Sequence, residues 1–138
     1  MTLYGPLDTT GTRWDALMEW SLSWKWTRGT DGSGACRVTS PSVAINSKVT
    51  FPRWLVPDDA QPDLVAHWMA YTRALAQHEG GHVTVALDAV PYVEGLMKKS
   101  SCDKVQQTVQ AGVQHIRDLE DKYESATDHG RTQGALFP

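Results

Sequence analysis

Polar and apolar residues alternate strictly from Trp20 to Trp26, with Trp20, Leu22, Trp24 and Trp26 on one side and Ser21, Ser23 and Lys25 on the other. A period of two is that of a strand with one buried face, so the tryptophan side is expected to be core rather than a platform for stacking sugars. Asp31-Gly32 and Ser33-Gly34 mark a turn or short loop within 29–34. Alternation then resumes in pieces, first Cys36 and Val38, then Val43 and Ile45, then Val49 and Phe51, with Asn46-Ser47 placed to turn the chain between the last two. The pattern predicts a small, mainly antiparallel sheet of three or four strands, ended by Pro52, with Trp54 and Leu55 docking the connection onto the core. Residues 1–13, rich in Thr, Gly and Pro, read as an irregular lead-in.

Beyond Pro57 the period changes. Leu64, Trp68, Tyr71, Leu75, His78, His82, Val85 and Ala89 follow one another at steps of three or four, which is the inward stripe of a helix. Asp58, Asp59 and Asp63 supply acidic residues near its positive end, and Pro62 suits its first turn. Pro91 ends or kinks this helix, and Tyr92, Val93, Leu96 and Met97 continue it for a turn or two. Ser100 and Ser101 stand as caps before a second helix, whose stripe is Val105, Val109, Gly112, Ile116, Leu119 and Tyr123 and which should pack along the first. The helical pattern is lost over 126–130, and a polar tail follows. The expected fold is α+β in a single domain over 1–138: a strand-rich half (1–57), a helical half (58–125) and a C-terminal loop and tail (126–138).

Composition narrows the function. A net charge of −3 with scattered Lys and Arg offers no basic stripe, which argues against nucleic acid as a partner. No apolar run approaches the roughly 20 residues that cross a bilayer, and no charged n-region precedes an apolar one at the N-terminus. The chain is expected to be soluble and free of membrane insertion, with a signal peptide removed ahead of Met1; its oligomeric state stays open. Cys36 and Cys102 belong to no CxxC pair, so they are poor metal ligands. A disulfide closing a long loop in an oxidising compartment is the sharper reading, and two separate buried thiols is the other.

The chemistry concentrates in His78, Glu79, Gly80, Gly81 and His82, an HExxH run inside the first helical stripe. On a helix the two imidazoles sit one turn apart on one face and can hold one Zn2+, with Glu79 about 100° round from His78. In such a centre a zinc-bound water ionises near pH 7, and Glu79 acts as general base and then general acid in hydrolysing a peptide bond. Gly80 and Gly81 argue against a helix unless they permit a close approach. The longer HExxHxxGxxH pattern is absent, because Val85 and Asp88 stand in its last two places. Among Glu94, Glu120, Glu124, Asp128 and His129, the favoured third ligand is His129, in a Gly-adjacent loop able to fold back, with Glu120 or Glu124 as runner-up. His67 and His115 lack comparable context and are expected to be surface residues or to lie behind the ligands. Tyr123 lies on the inward stripe as a core residue or as a donor to a developing oxyanion.

Taken together, Gly5-Pro6, the Trp20–Trp26 strand, Cys36, Pro52-x-Trp54, HEGGH, Cys102, Tyr123, Thr127-x-His129-Gly130 and Gln133-Gly134-Ala135 resemble the bacterial domain-of-unknown-function 922 family, predicted secreted zinc-dependent proteases. The resemblance spans nearly the whole chain, and the T-x-H-G and Q-G-A runs make it more specific than HExxH alone. It implies a secreted or periplasmic setting, a structural Cys36–Cys102 disulfide, and functional weight on Tyr123, Thr127 and His129. The resulting expectation is a zincin-like metalloprotease with His78, His82 and His129 on Zn2+, Glu79 and Tyr123 in catalysis, and a protein or peptide substrate, aligned along a sheet edge from 36–51. A zinc amidase or cell-wall hydrolase shares every one of these residues. A non-catalytic module that keeps its metal for stability is the rival from a different class.

Overall fold

The tryptophan alternation lies within β1 (Leu17–Thr30), which pairs with β2 (Cys36–Thr50) in an antiparallel two-stranded sheet. The computed structural model describes residues 5–137; Met1 to Tyr4 of the lead-in and Pro138 of the tail lie outside them. Three helices follow: α1 (Pro62–Asp88), α2 (Val90–Lys98) and α3 (Val105–Thr127), then a 3-10 turn at Arg131–Gln133. The class is α+β, with two strands among the described residues in place of the expected three or four. Asn46-Ser47 does not turn the chain but runs on inside β2. What interrupts the alternation is Ser40, at φ +46° and followed by Pro41. Buried Val38 and Val43 are five residues apart, an odd spacing that puts both on one face only if an extra residue is inserted between them. A proline, which lacks an N–H, is tolerated in a strand at such a bulge.

The chain forms two compact units, each discontinuous in sequence. The unit made of Trp20–Asn46 and Thr84–Asp121 buries Val38 and Val43 of the sheet against Ala86, Val93, Met97, Val109 and Ile116. Trp20, Leu22 and Trp26 pack half-buried on this core, as the period-two pattern predicts, while Trp24 is 36% exposed. The 31–35 turn is knitted by Asp31, which accepts hydrogen bonds from Ser33 and from the backbone of Ala35 and pairs with Arg37. The outer edge of β2 is taken up: Ser100 O accepts from Val38 N, Cys36 O accepts from Cys102 N, Glu94 Oε1 accepts from Val43 N, and Cys36 and Cys102 form a disulfide. That edge is not open for substrate at these positions. Ala89 separates α1 from α2, with Pro91 in the first turn of α2, so the proline starts a helix instead of kinking one. Helix α3 begins at Val105, three residues beyond the place a Ser101 cap would set it.

The other unit comprises Met1–Glu19, Ser47–Val83 and Lys122–Pro138. Helix α1 opens with Pro62 and Asp63, as its start signals predict, and buries Trp68, Tyr71, Ala74 and Leu75. Trp54 and Phe137 meet Trp68 edge-on at 5.7 and 5.5 Å between ring centroids. Phe137 is half-buried in these contacts and Ala135 is buried in the same cluster, so the C-terminal tail is pinned beneath α1. That pinning delivers the 3-10 turn to the level of His78. Among the described residues no helix is long and apolar enough to cross a membrane.

Candidate metal centre

Helix α1 runs unbroken through HEGGH, so His78 and His82 stand one turn apart with Nε2 atoms 3.2 Å from each other. From α3, Glu124 brings Oε2 to 3.2 Å from His78 Nε2 and 2.8 Å from His82 Nε2. The His78 and His82 side chains are 4% and 14% exposed and that of Glu124 29%. These three are the group among the described residues able to hold a metal ion. Ligand bonds of about 2.0–2.2 Å at tetrahedral angles set donor atoms roughly 3.3 Å apart. The two 3.2 Å separations match that spacing, and the 2.8 Å contact needs to open by about half an ångström. Two imidazoles and one carboxylate is also a donor set that catalytic zinc sites use. The residues therefore fit zinc.

Burial works against the charged form of the Glu124 carboxyl, but hydrogen bonds from His129 and His82 and the neighbouring imidazole charges outweigh it, leaving its pKa below the ordinary glutamate value. It stands ready as an anionic donor.

Gly81 explains how Tyr123 reaches the centre. A Cβ at Gly81 would collide with the Tyr123 hydroxyl and the ring carbon that carries it. With glycine there, the Tyr123 ring stacks on His78 at 5.3 Å and 15° and meets His82 edge-on at 4.8 Å. Its hydroxyl donates to the backbone carbonyl of His78 at 3.0 Å. The proton expected to meet an oxyanion is thus engaged on α1. Gly130, at φ +79°, turns the chain past the His78 ring, where a Cβ would lie 2.9 Å from Cγ.

The structure brings His78 and His82 together with Glu124 and does not place His129 in the cluster. Helix α3 continues through Thr127, so Glu124 projects from a regular turn. Beyond the helix end, Asp128 and His129 take left-handed conformations (φ +46° and +56°) that leave the His129 side chain 68% exposed. His129 Nδ1 lies 2.6 Å from Oε1 of Glu124, whereas the two imidazoles approach Oε2. Glu79 is buried beside the cluster on α1, 6% exposed. Thr127 is buried too, its hydroxyl 3.4 Å from His78 Nδ1. Elsewhere, His67 is exposed, His115 packs on Tyr92 at 4.2 Å, Asp128 pairs with Arg131, and Glu94 caps the edge of β2.

Gln133, which the sequence pattern does not single out as a ligand or catalytic group, also reaches the site. Its Oε1 is 3.0 Å from His78 Nδ1, and its amide nitrogen donates to the Tyr123 hydroxyl at 3.1 Å. The signal for it is a short segment between two left-handed glycines, Gly130 and Gly134, directly after a helix.

A family model described as "Bacterial protein of unknown function (DUF922)" matches residues 1–130. The chain belongs to the DUF922 family. Neither a curated protein nor a solved structure matches it. The part of this DUF922 chain that the family model covers contains HEGGH, Tyr123, Glu124, Thr127 and His129, and ends before Gln133.

Proposed function

We propose that this DUF922 protein is a zinc-dependent peptidase of the zincin-like kind, with His78, His82 and Glu124 as the metal ligands. The observation that carries the reading is the convergence of two imidazole nitrogens and one carboxylate oxygen at 2.8–3.2 Å, all three held by helices. Bound zinc supplies Lewis acidity and lowers the pKa of water to about 7. Glu79, one residue along α1 from a ligand, is the group that takes a proton from water and returns it to the leaving amine. Tyr123 holds His78 from above through its ring and through the His78 carbonyl. His129 orients Glu124 by engaging Oε1 while the imidazoles approach Oε2. The disulfide favours a secreted or periplasmic setting, where such bonds persist.

The test joins metal content to turnover of a quenched peptide library. The purified protein is expected to hold one zinc and to cleave peptides. Glu79→Gln is expected to keep the zinc and lose at least about 100-fold in turnover, the scale of general-base catalysis. Unchanged turnover in this variant would instead mark a non-catalytic metal module. Glu124→Ala should abolish stoichiometric zinc, whereas His129→Ala should weaken it only about tenfold. Full zinc in Glu124→Ala with none in His129→Ala would return His129 to the ligand set. Hydrolysis confined to cell-wall amides would replace the peptidase reading by the amidase one.

A further inference from the structure

Proton positions around His78 are dictated from three groups away. The backbone carbonyl of His78 can only accept, so the Tyr123 hydroxyl, 3.0 Å from it, must be the donor. With its proton spent, the Tyr123 oxygen offers lone pairs to Gln133, so the Gln133 group 3.1 Å away must be the amide NH2. That fixes the amide's orientation and turns Oε1, an acceptor only, onto His78 Nδ1 at 3.0 Å. Nδ1 must therefore carry hydrogen. The Thr127 hydroxyl asks the same of it: its own proton goes to the Tyr123 carbonyl at 2.9 Å, which leaves lone pairs facing His78 Nδ1 at 3.4 Å.

We propose that Gln133 is a positioning residue of the metal centre, held in the Gly130–Gly134 turn so as to keep a proton on His78 Nδ1 and leave Nε2, the nitrogen that faces His82 and Glu124, as the one a metal takes. The inference rests on the metal reading given above and adds to it a residue beyond the family match. Zinc takes the bare nitrogen of a neutral imidazole, and which nitrogen is bare is set by what the other one bonds. Without Gln133, the Glu124 carboxylate 3.2 Å from Nε2 would draw the proton onto the nitrogen the metal needs. The turn is suited to the task because it is anchored at both ends: Gly130 fits against the His78 ring, and Ala135 and Phe137 are fixed in the Trp68–Tyr71 cluster.

The experiment reads imidazole 15N shifts of the metal-free protein at a pH where free histidine is neutral, together with zinc affinity by competition with a chromophoric chelator. In the wild type, Nδ1 of His78 is expected to give the shift of a protonated nitrogen. In Gln133→Leu, where only the more distant Thr127 hydroxyl still accepts from Nδ1, the shift moves toward that of a bare nitrogen, and zinc binds about 10- to 100-fold more weakly. Gln133→Glu, whose carboxylate also accepts from Nδ1, restores both readings to near the wild type, which a merely space-filling role for Gln133 does not predict. Tyr123→Phe frees the amide to turn over and weakens zinc binding, and the double variant with Gln133→Leu is no weaker than Gln133→Leu alone. A bare Nδ1 in the wild type, or a Gln133→Leu variant with wild-type shifts or wild-type affinity, overturns the proposal. A wild type that binds no zinc counts against the metal reading, while the Nδ1 shift still decides whether Gln133 sets the proton.

Discussion

Gly80 and Gly81 are neighbours on α1 that meet opposite surroundings. Nothing lies within 4 Å of a Cβ built on Gly80, which faces outward. Gly80→Ala should therefore gain up to about 1 kcal/mol from helix propensity alone. At Gly81 the same methyl meets the Tyr123 hydroxyl, which its bonds to the His78 carbonyl and to Gln133 prevent from swinging aside. Overpacking of about 1–3 kcal/mol is set against the same gain, so Gly81→Ala should be net destabilising and should separate Tyr123 from His78. Urea denaturation of the two metal-free variants checks the signs, and a stabilised Gly81→Ala would mean that Tyr123 is not held where the structure has it. The histidine pair was legible because its spacing is local to one helix. Glu124 was less so: several acidic residues and His129 compete at equal sequence standing, and only the length of α3 decides between them.

At the scale of elements, β2 shows why strands are harder to count than helices. The periodic stripes of α1 and α3 are legible in the sequence at nearly every position, since a helix repeats its contacts every turn. A single inserted residue at Ser40 shifts every later side chain of a strand, so one bulged strand imitates two short ones. The bulge has a partner that gives it a measurable cost. Val43 N is hydrogen-bonded by Glu94 Oε1 at 3.0 Å from α2, beside a buried Val43 side chain. Glu94→Ala leaves that N–H without an acceptor and should cost about 1–3 kcal/mol. Glu94→Gln keeps a carbonyl oxygen in place and should cost under about 1 kcal/mol. Equal losses in the two variants would show that charge, and not the acceptor, holds the bulge; hydrogen exchange at the Val43 amide distinguishes them directly.

For the molecule as a whole, the tail was the least legible part. A polar segment ending in Leu136-Phe137-Pro138 carries no period, and its role depends on distant aromatic partners at Trp54 and Trp68 that no local pattern reveals. The cysteines pose a similar problem with a simpler answer. Cys36 and Cys102 are 66 residues apart in sequence with Cα atoms 5.6 Å apart, beside an antiparallel bridge between Arg37 and Ser101. The backbone bonds at this junction, at 3.3 and 3.4 Å, are long. The covalent link therefore carries much of what joins the start of β2 to the segment before α3. Closing a loop of that length restricts the unfolded chain by about 4 kcal/mol in the chain-entropy account. The double variant Cys36→Ser with Cys102→Ser avoids new thiol ligands and should lose about 2–4 kcal/mol in urea denaturation. On the proposed metal reading, its zinc stoichiometry without denaturant should stay at the wild-type value, because His78, His82 and Glu124 lie in the unit that does not contain the bridge. A double variant with unaltered stability would mean that the unfolded chain already keeps these ends together. A loss of zinc with the fold intact would mean that the metal centre depends on the bridge.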